Sequence, residues 1–503
     1  MGPPSHRSAV LRPQGQRLRP RRRSRRPIRQ PADQISQHWR PSPRGQLVSW
    51  SSQTFDDNQS VWLAGAAPDQ PAPALTRDLQ VDVAIIGGGF TGVSTAYELS
   101  RRLPQLGIAL FEGKRLGNGA SGRSGGMMLN GIAADSEDLQ QVVREHQLTT
   151  AAMDDLQRLI DRHGLNVRMR REGSYKVSTT AAEAEYAHQR VEKLAALGLP
   201  LKFIPSGQLN AVLRARGAAG TVVDPTEGVL NGVDLIRGLR PVLQGQGVAI
   251  YEDTPITRIA EGKVVHLQTA NAQITAKAVV LATNGYTPRL GYFRTGILPV
   301  ISHVIATRPL PAELLASAFG SATAFSDDQA RIAYCSVDSE RRVLFGGGSN
   351  HAYGYHYGNR TASSVTIDDV AGRALKASLG GYFPDLAGVE IGYRWCGPLG
   401  LTLARHCAMG VMGSHANVYY ALGYSGHGIV LANLAGKVLA DLYQGNHDPW
   451  RKYAFYMYRP GGIPPEPLRW VGYHAFTKAT GRSPWKNAEK SAPAATPTVP
   501  AGD

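Results

Sequence analysis

The sequence predicts an α/β fold with two domains, one of which contains a parallel sheet. A β-branched apolar run, Val81 to Ile86, precedes a stretch with helically spaced apolar residues, Thr91 to Leu103. A second apolar run, Ile108 to Phe111, follows. This strand–helix–strand order within about 30 residues is typical of parallel strands. Because 503 residues are more than one hydrophobic core usually holds, a second domain is expected.

Later segments continue the mixture of helices and strands. Helical patterns are predicted near 136–164, 181–197 and 428–442, and strands at 248–251, 278–283, 300–306, 343–346 and 418–422.

A glycine-rich turn joins the first strand to its helix. The run GGGFTG at 87–92 fits G-x-G-x-x-G at Gly87, Gly89 and Gly92. The first glycine permits a tight turn, the second lets the backbone approach a pyrophosphate, and the third lets helix and strand pack closely. Glu112 ends the second strand, where a carboxylate accepts hydrogen bonds from ribose hydroxyls. The pattern therefore predicts a Rossmann-like dinucleotide site.

A second loop of small residues follows Glu112 directly. It is GKRLGNGASGRSGGMML at 113–129, with most of its glycines between Gly117 and Gly126. A nicotinamide enzyme would normally continue here with alternating strands and helices. The loop instead favours FAD, because glycines let the backbone approach the far end of a larger cofactor. An ordinary surface loop is the alternative.

Three motifs carry a resemblance to a known family. The loop GNGASGRSGG at 117–126 resembles GASGRNGG in FAD-dependent oxidoreductases related to D-amino-acid oxidase, glycine oxidase and sarcosine oxidase. AVVLATNGYTP at 278–288 and GYSGHGIVLANLAGKVLADL at 423–442 resemble that family's flavin-domain strand and closing flavin motif. PLRWVGYHAF at 467–476 and Trp-x-Gly at 395–397 are similar to γ-glutamylputrescine oxidase-like members. The resemblance extends over about residues 47–480.

The resemblance implies a discontinuous, Rossmann-like FAD domain and a mixed-sheet substrate domain. The expected FAD domain comprises 47–150, 221–290 and 396–445, the substrate domain 151–220 and 291–395, and a C-terminal segment packing on the body 446–487. FAD is expected to be non-covalent, because Cys396 lies one residue from the position at which some relatives attach flavin.

The residues expected to contact FAD lie in the glycine turns and beside them. Ile256 would meet the adenine through its backbone, with an ordinary edge strand as the alternative. Ser425 and His427 lack a third triad member, which disfavours a hydrolase, and a helix beginning near Gly428 would stabilise reduced flavin. The predicted contacts are Gly87, Gly89, Phe90, Thr91, Gly92, Glu112, Ala120, Ser121, Gly122, Arg123, Ser124, Gly125, Ile256, Thr283, Asn284, Gly285, Gly423, Ser425, Gly426, His427 and Gly428.

The substrate side has fewer signals. His303 could accept the amine's proton, with a packed or surface His as the alternative. Arg394 could receive a carboxylate, with a partner for an acid or a surface charge as the alternative. Trp395 is a further weak catalytic candidate. Two positions depart from relatives, Ser336 where many carry Arg and Cys407 where a Pro is common, so the substrate is not carried over. The aromatic residues that could form a wall beside the flavin are Tyr286, Tyr334, Tyr393 and Trp395.

The expected reaction is oxidation of a C–N bond in an amine or amino acid, with hydride transfer to FAD, hydrolysis of the imine and reoxidation by oxygen to give hydrogen peroxide. A dehydrogenase that passes electrons to a quinone or carrier protein is the alternative. The expected partners are therefore a small-molecule substrate and either oxygen or an electron carrier.

Basic residues are concentrated at the start of the chain. Residues 1–46 contain twelve Arg, no Lys and one acid, Asp33, which is +11 of the net +16 and leaves +5 for the rest. This tail is expected to be disordered, as is 488–503. It is interpreted as sequence upstream of a misassigned start. A transit peptide is disfavoured because prolines break an amphipathic helix, and a flavoprotein with a nucleic-acid-binding tail because no reader motif accompanies the charges.

Composition excludes several other classes. The three cysteines, Cys335, Cys396 and Cys407, cannot form a disulfide framework and lack metal-ligand spacing, so no metal is predicted. No stretch approaches about 20 apolar residues, which argues against a membrane span. A cytoplasmic location is predicted.

Overall fold

The computed structural model describes residues 58–132, 136–361 and 368–480. The predicted tails at 1–46 and 488–503 lie outside these residues, as does the end of the predicted segment 446–487. The helices within the described residues are α1 (Val61–Ala64), α2 (Phe90–Arg102), α3 (Leu139–His163), α4 (Ala181–Ala196), α5 (Gly232–Gly245), α6 (Ala312–Phe319), α7 (Val370–Tyr382), α8 (Gly428–Tyr443) and α9 (Leu468–Thr480).

The strands within the described residues form three sheets. They are β1 (Leu79–Ile86), β2 (Ile108–Phe111), β3 (Met127–Met128), β4 (Met169–Arg170), β5 (Ser174–Ser178), β6 (Lys202–Pro205), β7 (Gly220–Asp224), β8 (Gly228–Leu230), β9 (Ala249–Tyr251), β10 (Arg258–Ala260), β11 (Val265–Gln268), β12 (Gln273–Leu281), β13 (Leu298–Thr307), β14 (Ala324–Asp327), β15 (Tyr334–Val337), β16 (Val343–Gly346), β17 (Tyr353–Gly354), β18 (Ile391–Leu401), β19 (Ala408–Met412) and β20 (Val418–Leu422).

The first sheet has eight strands and a parallel centre. Strand β1 lies between β2 and β12 and is parallel to both, while β9 extends the sheet beyond β2. The last three residues of β12 pair with β20, also in parallel. The last four residues of β1 and all of β2 are buried, as expected for strands covered on both faces. The strands and helices predicted here agree with the structure to within a few residues at their ends.

The second sheet has nine strands and mixed pairing. Its order is β17-β13-β16-β15-β14-β5-β7-β6, with β18 antiparallel to β13 along almost its whole length. Only β14 and β5 pair in parallel within this described sheet. A third sheet, β3-β8-β4, is antiparallel. The α/β fold with a parallel sheet and a mixed sheet is confirmed. Since β18 crosses residue 395, the exact domain boundaries stay a prediction.

Helices α2 and α8 pack against each other beside the parallel sheet. They approach each other closely at Gly436, where an added Cβ would lie 2.4 Å from the carbonyl carbon and oxygen of Ser94. The hydroxyl of Ser94 donates across this contact to the carbonyl of Ala432 at 2.8 Å. The two helix backbones therefore touch at a point that has no space for a side chain.

None of the helices in the described ranges has the length and apolar character needed to span a bilayer. Within the same ranges, no three His, Cys, Asp or Glu side chains are grouped so that they could hold a metal ion.

We expect Gly436→Ala to destabilise the protein by roughly 1–3 kcal/mol, because the methyl group would push the two helix backbones apart. The measurement is the thermal unfolding midpoint of the FAD-loaded protein. Gly245→Ala is the matched control, since Gly245 is an exposed helical glycine with no atom within 4 Å of an added Cβ. It should leave the midpoint unchanged or raise it. Equal midpoints for the two variants would contradict the close packing.

Candidate active site

A cavity of about 1400 Å³ lies at the carboxyl ends of the parallel strands. Its wall includes Ile86 and Phe111, the last residues of β1 and β2, and Ala282, which follows β12. Ligands of open α/β sheets bind at this edge. The volume exceeds the 300–1,000 Å³ typical of small-molecule pockets, so the cavity has room for a large cofactor together with a substrate.

The first glycine turn begins the wall. Gly87 has φ 110°, which only glycine adopts readily, and it connects β1 to α2. A Cβ added at Gly92 would lie 1.8 Å from the carbonyl oxygen of Gly87. Gly89 is the N-cap of α2 and lines the cavity with Phe90 and Thr91, so the amino terminus of the helix lies at the cavity edge. This terminus suits an anionic group such as a pyrophosphate.

Glu112 stands beside this turn. Its carboxylate accepts hydrogen bonds from the N–H groups of Gly88 at 2.7 Å and Lys114 at 2.9 Å. Burial raises the pKa of Glu112 to about 7, although these amide donors act in the opposite direction. Glu112 lines the cavity, where its carboxylate can accept hydrogen bonds from the hydroxyl groups of a ribose.

The second glycine loop is bonded to the first turn. The N–H of Gly117 donates to the carbonyl of Gly88 at 3.0 Å, and the N–H of Phe90 donates to the hydroxyl of Ser121 at 3.1 Å. A Cβ added at Gly89 would lie 2.6 Å from the same hydroxyl oxygen. The two glycine segments therefore form one continuous surface.

The closing motif joins the same surface. The hydroxyls of Thr91 and Tyr424 lie 2.7 Å apart, and the N–H of Gly423 donates to Asn284 Oδ1 at 2.8 Å. Gly426 has φ 104° and nothing within 4 Å of an added Cβ, so it faces open space. The three glycine turns thus converge around one cavity.

Most predicted FAD contacts lie on the cavity wall, but four do not. Gly92, Gly122, Gly285 and Gly423 instead permit close packing; a Cβ added at Gly122, for example, would lie 2.0 Å from the carbonyl of Gly117. The remaining predicted residues line the cavity: Gly87, Gly89, Phe90, Thr91, Glu112, Ala120, Ser121, Arg123, Ser124, Gly125, Ile256, Thr283, Asn284, Ser425, Gly426, His427 and Gly428. Their contact with FAD stays a prediction that this placement favours.

Known proteins that resemble this chain agree with a site of this kind. The sequence profile of the family described as "DAO: FAD dependent oxidoreductase" matches residues 82–442. The chain belongs to this family. FAD is therefore its cofactor, and the glycine turns, the helix terminus and Glu112 form a donor and acceptor set that fits it.

Individual relatives are similar over most of their length. γ-Glutamylputrescine oxidoreductase of Escherichia coli strain K12 is 27% identical over 413 residues, covering 79% of this chain and 92% of that protein. Glycine oxidase of Geobacillus kaustophilus strain HTA426 is 26% identical over 373 residues, covering 72% and 93%. The crystal structure of glycine oxidase from Geobacillus kaustophilus superposes with a TM-score of 0.64 and 24% identity, covering 76% of this chain and all of that one. The structural likeness supports the two-domain fold.

The nine-stranded sheet forms part of the cavity wall. Leu298, Val300 and Ser302 line the cavity as alternate residues of β13. The hydroxyl of Tyr334 lies 3.1 Å from Ser302 Oγ, and burial raises the pKa of this tyrosine to about 12. Tyr286 also lines the cavity. Three hydroxyl-bearing side chains, Ser302, Tyr334 and Tyr286, therefore line the cavity.

The predicted residues His303 and Arg394 do not line this cavity. His303 follows Ser302 on β13, so its side chain projects to the opposite face of the sheet. There its Nδ1 lies 2.9 Å from one guanidinium nitrogen of Arg394. The other terminal nitrogen of Arg394 donates to the carboxylate of Asp369, the N-cap of α7, at 2.5 Å. The structure places both residues in a buried polar contact that gives no support to their suggested roles.

Trp395 and Tyr393 also lie off the cavity wall, among apolar residues beside α1. The indole of Trp395 is fully buried and donates to the carbonyl of Arg123 at 2.9 Å. Cys335, Cys396 and Cys407 are buried and absent from the cavity wall formed by the described residues.

Sequence motifs missed a polar group on the cavity wall. Asp224 accepts hydrogen bonds from His146 Nε2 and Asn130 Nδ2, both at 2.8 Å. The neighbouring Glu227 accepts the N–H of Asn130 at 2.5 Å and bonds the hydroxyl of Ser174. Burial, followed by the charge of Asp224, raises the pKa of Glu227 to about 8. These residues come from separate segments with no common motif, so only the fold brings them together.

Helix α9 also lines the cavity, which the sequence did not predict. Arg469, Gly472, Tyr473 and Phe476 line the cavity from this helix. Arg469 is its one buried residue within the described part, donating to Asn359 Oδ1 at 2.6 Å, whereas Phe476 is 59% exposed. The run PLRWVGYHAF resembles relatives in sequence, but that resemblance alone did not place the segment on the cavity wall.

We expect Glu227→Gln to flatten the pH dependence of stability. Because the carboxyl of Glu227 keeps its proton in the folded chain to about pH 8 but in the unfolded chain only to about 4.5, its contribution to stability is complete below 4.5 and is lost as the pH rises through 8. Glutamine imitates the protonated carboxyl and does not titrate. Thermal midpoints measured from pH 5 to 8 should therefore fall less steeply in the variant.

The control is Glu185→Gln on the exposed face of α4, which should keep the slope of the unaltered protein. An unchanged slope in Glu227→Gln would contradict the raised pKa.

Proposed function

We propose that this FAD-dependent oxidoreductase oxidises a C–N bond in an amine or amino acid and passes the electrons to oxygen. The observation that carries the proposal is the single cavity that connects the three glycine turns to the hydroxyl groups of Ser302 and Tyr334. The two named relatives act, by their names, on a putrescine derivative and on glycine. Both compounds contain an amine, which favours this substrate class.

When bound, FAD would supply the two-electron acceptor: the substrate would lose a hydride from the carbon next to the nitrogen and a proton from the nitrogen itself, and both would end on oxygen as hydrogen peroxide. The resulting imine reacts with water, which breaks the C–N bond and releases a carbonyl compound and an amine or ammonia. The role of the chain is to hold the amine in one orientation beside the cofactor and to keep it uncharged.

Tyr334 and Ser302 are suited to that role. A tyrosine hydroxyl is protonated at neutral pH, and burial raises the pKa of Tyr334 further from that range. It can donate its proton to Ser302 Oγ, 3.1 Å away, and its oxygen can then accept an N–H of the neutral amine. The ring of Tyr334 packs on Gly125, where an added Cβ would lie 2.8 Å away, so the hydroxyl is held beside the second glycine loop.

The reaction is tested by adding polyamines, γ-glutamyl amines and amino acids to the protein without oxygen. We expect at least one amine to bleach the flavin absorbance, a readout that needs no added acceptor. Readmitting air should restore the absorbance and produce one peroxide per carbonyl product. The amine proposal would be sunk if dithionite bleached the flavin but no compound of the panel did. Turnover that required a quinone and consumed no oxygen would contradict the oxidase half.

We expect Tyr334→Phe to raise KM for the amine by roughly 2- to 10-fold with little change in kcat, because one hydrogen bond to the substrate is lost. Steady-state kinetics with the amine found above measure this. Tyr420→Phe is the control, since Tyr420 is fully buried, lies off the cavity wall and donates to the carbonyl of Tyr458 at 2.9 Å. Unchanged kinetics in Tyr334→Phe would remove Tyr334 from the substrate site.

A further inference from the structure

Four consecutive backbone carbonyls in the second glycine loop each accept a hydrogen bond from a side chain. The donors are Trp395 Nε1 to Arg123 at 2.9 Å, Trp62 Nε1 to Ser124 at 2.8 Å, Ser336 Oγ to Gly125 at 2.6 Å, and Ser60 Oγ to Gly122. We call Ser60, Trp62, Ser336 and Trp395 the carbonyl clamp.

The clamp holds the loop from two sides. Ser60 and Trp62 lie at the start of the described chain, where Ser60 caps α1, whereas Ser336 is on β15 and Trp395 on β18 of the nine-stranded sheet. All four side chains are at least 97% buried. Breaking one of these bonds would leave a polar group without a partner, which is costly in a buried setting, so the loop is firmly positioned.

The geometry of the peptide unit determines where the N–H groups of this loop point. A trans peptide is planar, and its C=O and the following N–H point in opposite directions. Since the carbonyls of Arg123 and Ser124 face the two indoles, the N–H groups of Ser124 and Gly125 point away from them. Ser124 and Gly125 line the cavity, and neither N–H has a protein acceptor within the described residues. Two amide donors are therefore presented on the cavity side.

The neighbouring amides do not share this property. The N–H of Arg123 donates to the carbonyl of Ala120 at 3.1 Å, and the N–H of Gly126 donates to Ser124 Oγ at 3.3 Å. Of the four amides from Arg123 to Gly126, the two in the middle are therefore the ones without a protein acceptor among the described residues.

We propose that the carbonyl clamp is a positioning device that aims the amides of Ser124 and Gly125 at the flavin ring of FAD. The ring is favoured over the phosphates because Gly125 packs against Tyr334 and two clamp donors come from the substrate-side sheet. Amide donors there would stabilise the negative charge that the ring gains on reduction. This role depends on FAD as the cofactor and not on the amine proposed above.

The clamp also gives Trp395 a different role from the catalytic one considered from the sequence. Its indole reaches the cavity only through the carbonyl of Arg123, so it is a positioning residue. Ser336, at the position where many relatives carry Arg, has the same role through Gly125.

The test uses the full chain with Trp62→Phe and Trp395→Phe, which keep an aromatic ring but remove the donor. We expect FAD binding to the apoprotein to weaken by roughly 2- to 10-fold in each variant. The visible flavin spectrum should shift and the midpoint potential should become more negative. Trp450→Phe is the matched control, because Trp450 is buried, lies off the cavity wall and donates its indole N–H to Asp441 at 2.9 Å. It should keep FAD affinity, spectrum and potential.

Ser60→Ala and Ser336→Ala are milder changes that test the same clamp if the tryptophan variants fail to fold. Ser100→Ala is their control, since Ser100 is buried and donates to the carbonyl of Ala96 at 2.7 Å. The proposal predicts the same spectral and potential shifts in the two clamp variants and none in the control. It would be overturned by clamp variants that lower the thermal midpoint but keep FAD affinity, spectrum and potential unchanged.

Discussion

The structure depends on hydrogen bonds that tie glycine turns from distant parts of the chain into one surface. The bond from Gly117 to Gly88, the contact between Thr91 and Tyr424, and the bond from Gly423 to Asn284 connect segments up to 333 residues apart. Each turn alone is a common local structure. Because all of them lie at the carboxyl ends of parallel strands, their free amides surround a single space that is large enough for a cofactor with two phosphates.

The parts of the fold and of the cavity that depend on neighbouring residues were predictable from the sequence. The strands β1 and β2, the helix between them and the motif at Gly87 to Gly92 are encoded by neighbouring residues, and they were predicted to within a few residues. Most of the proposed FAD-binding positions also lie on the cavity wall, because the glycine motifs mark the turns that surround it. The four positions off the wall are all glycines, because the same spacing also serves close packing within the protein.

The cavity wall formed by the nine-stranded sheet was not predictable, for a physical reason. Every residue of β13 after Leu298 is buried, so polar and apolar residues do not alternate along the strand and nothing marks which face points to the cavity. Ser302 and His303 are adjacent in sequence, yet their side chains lie on opposite faces of the nine-stranded sheet. The polar group around Asp224 and Glu227 depends on α3 meeting β7, a contact that no motif in either segment signals.

The family profile begins at residue 82, but Ser60 and Trp62 precede it. A fragment cut to the region common to the family would retain every glycine turn and still lack half of the donors that orient the second loop. It would also lack α9, which closes one side of the cavity. Boundaries for expression should therefore be chosen from the contacts of the folded chain and not from the range that the family shares.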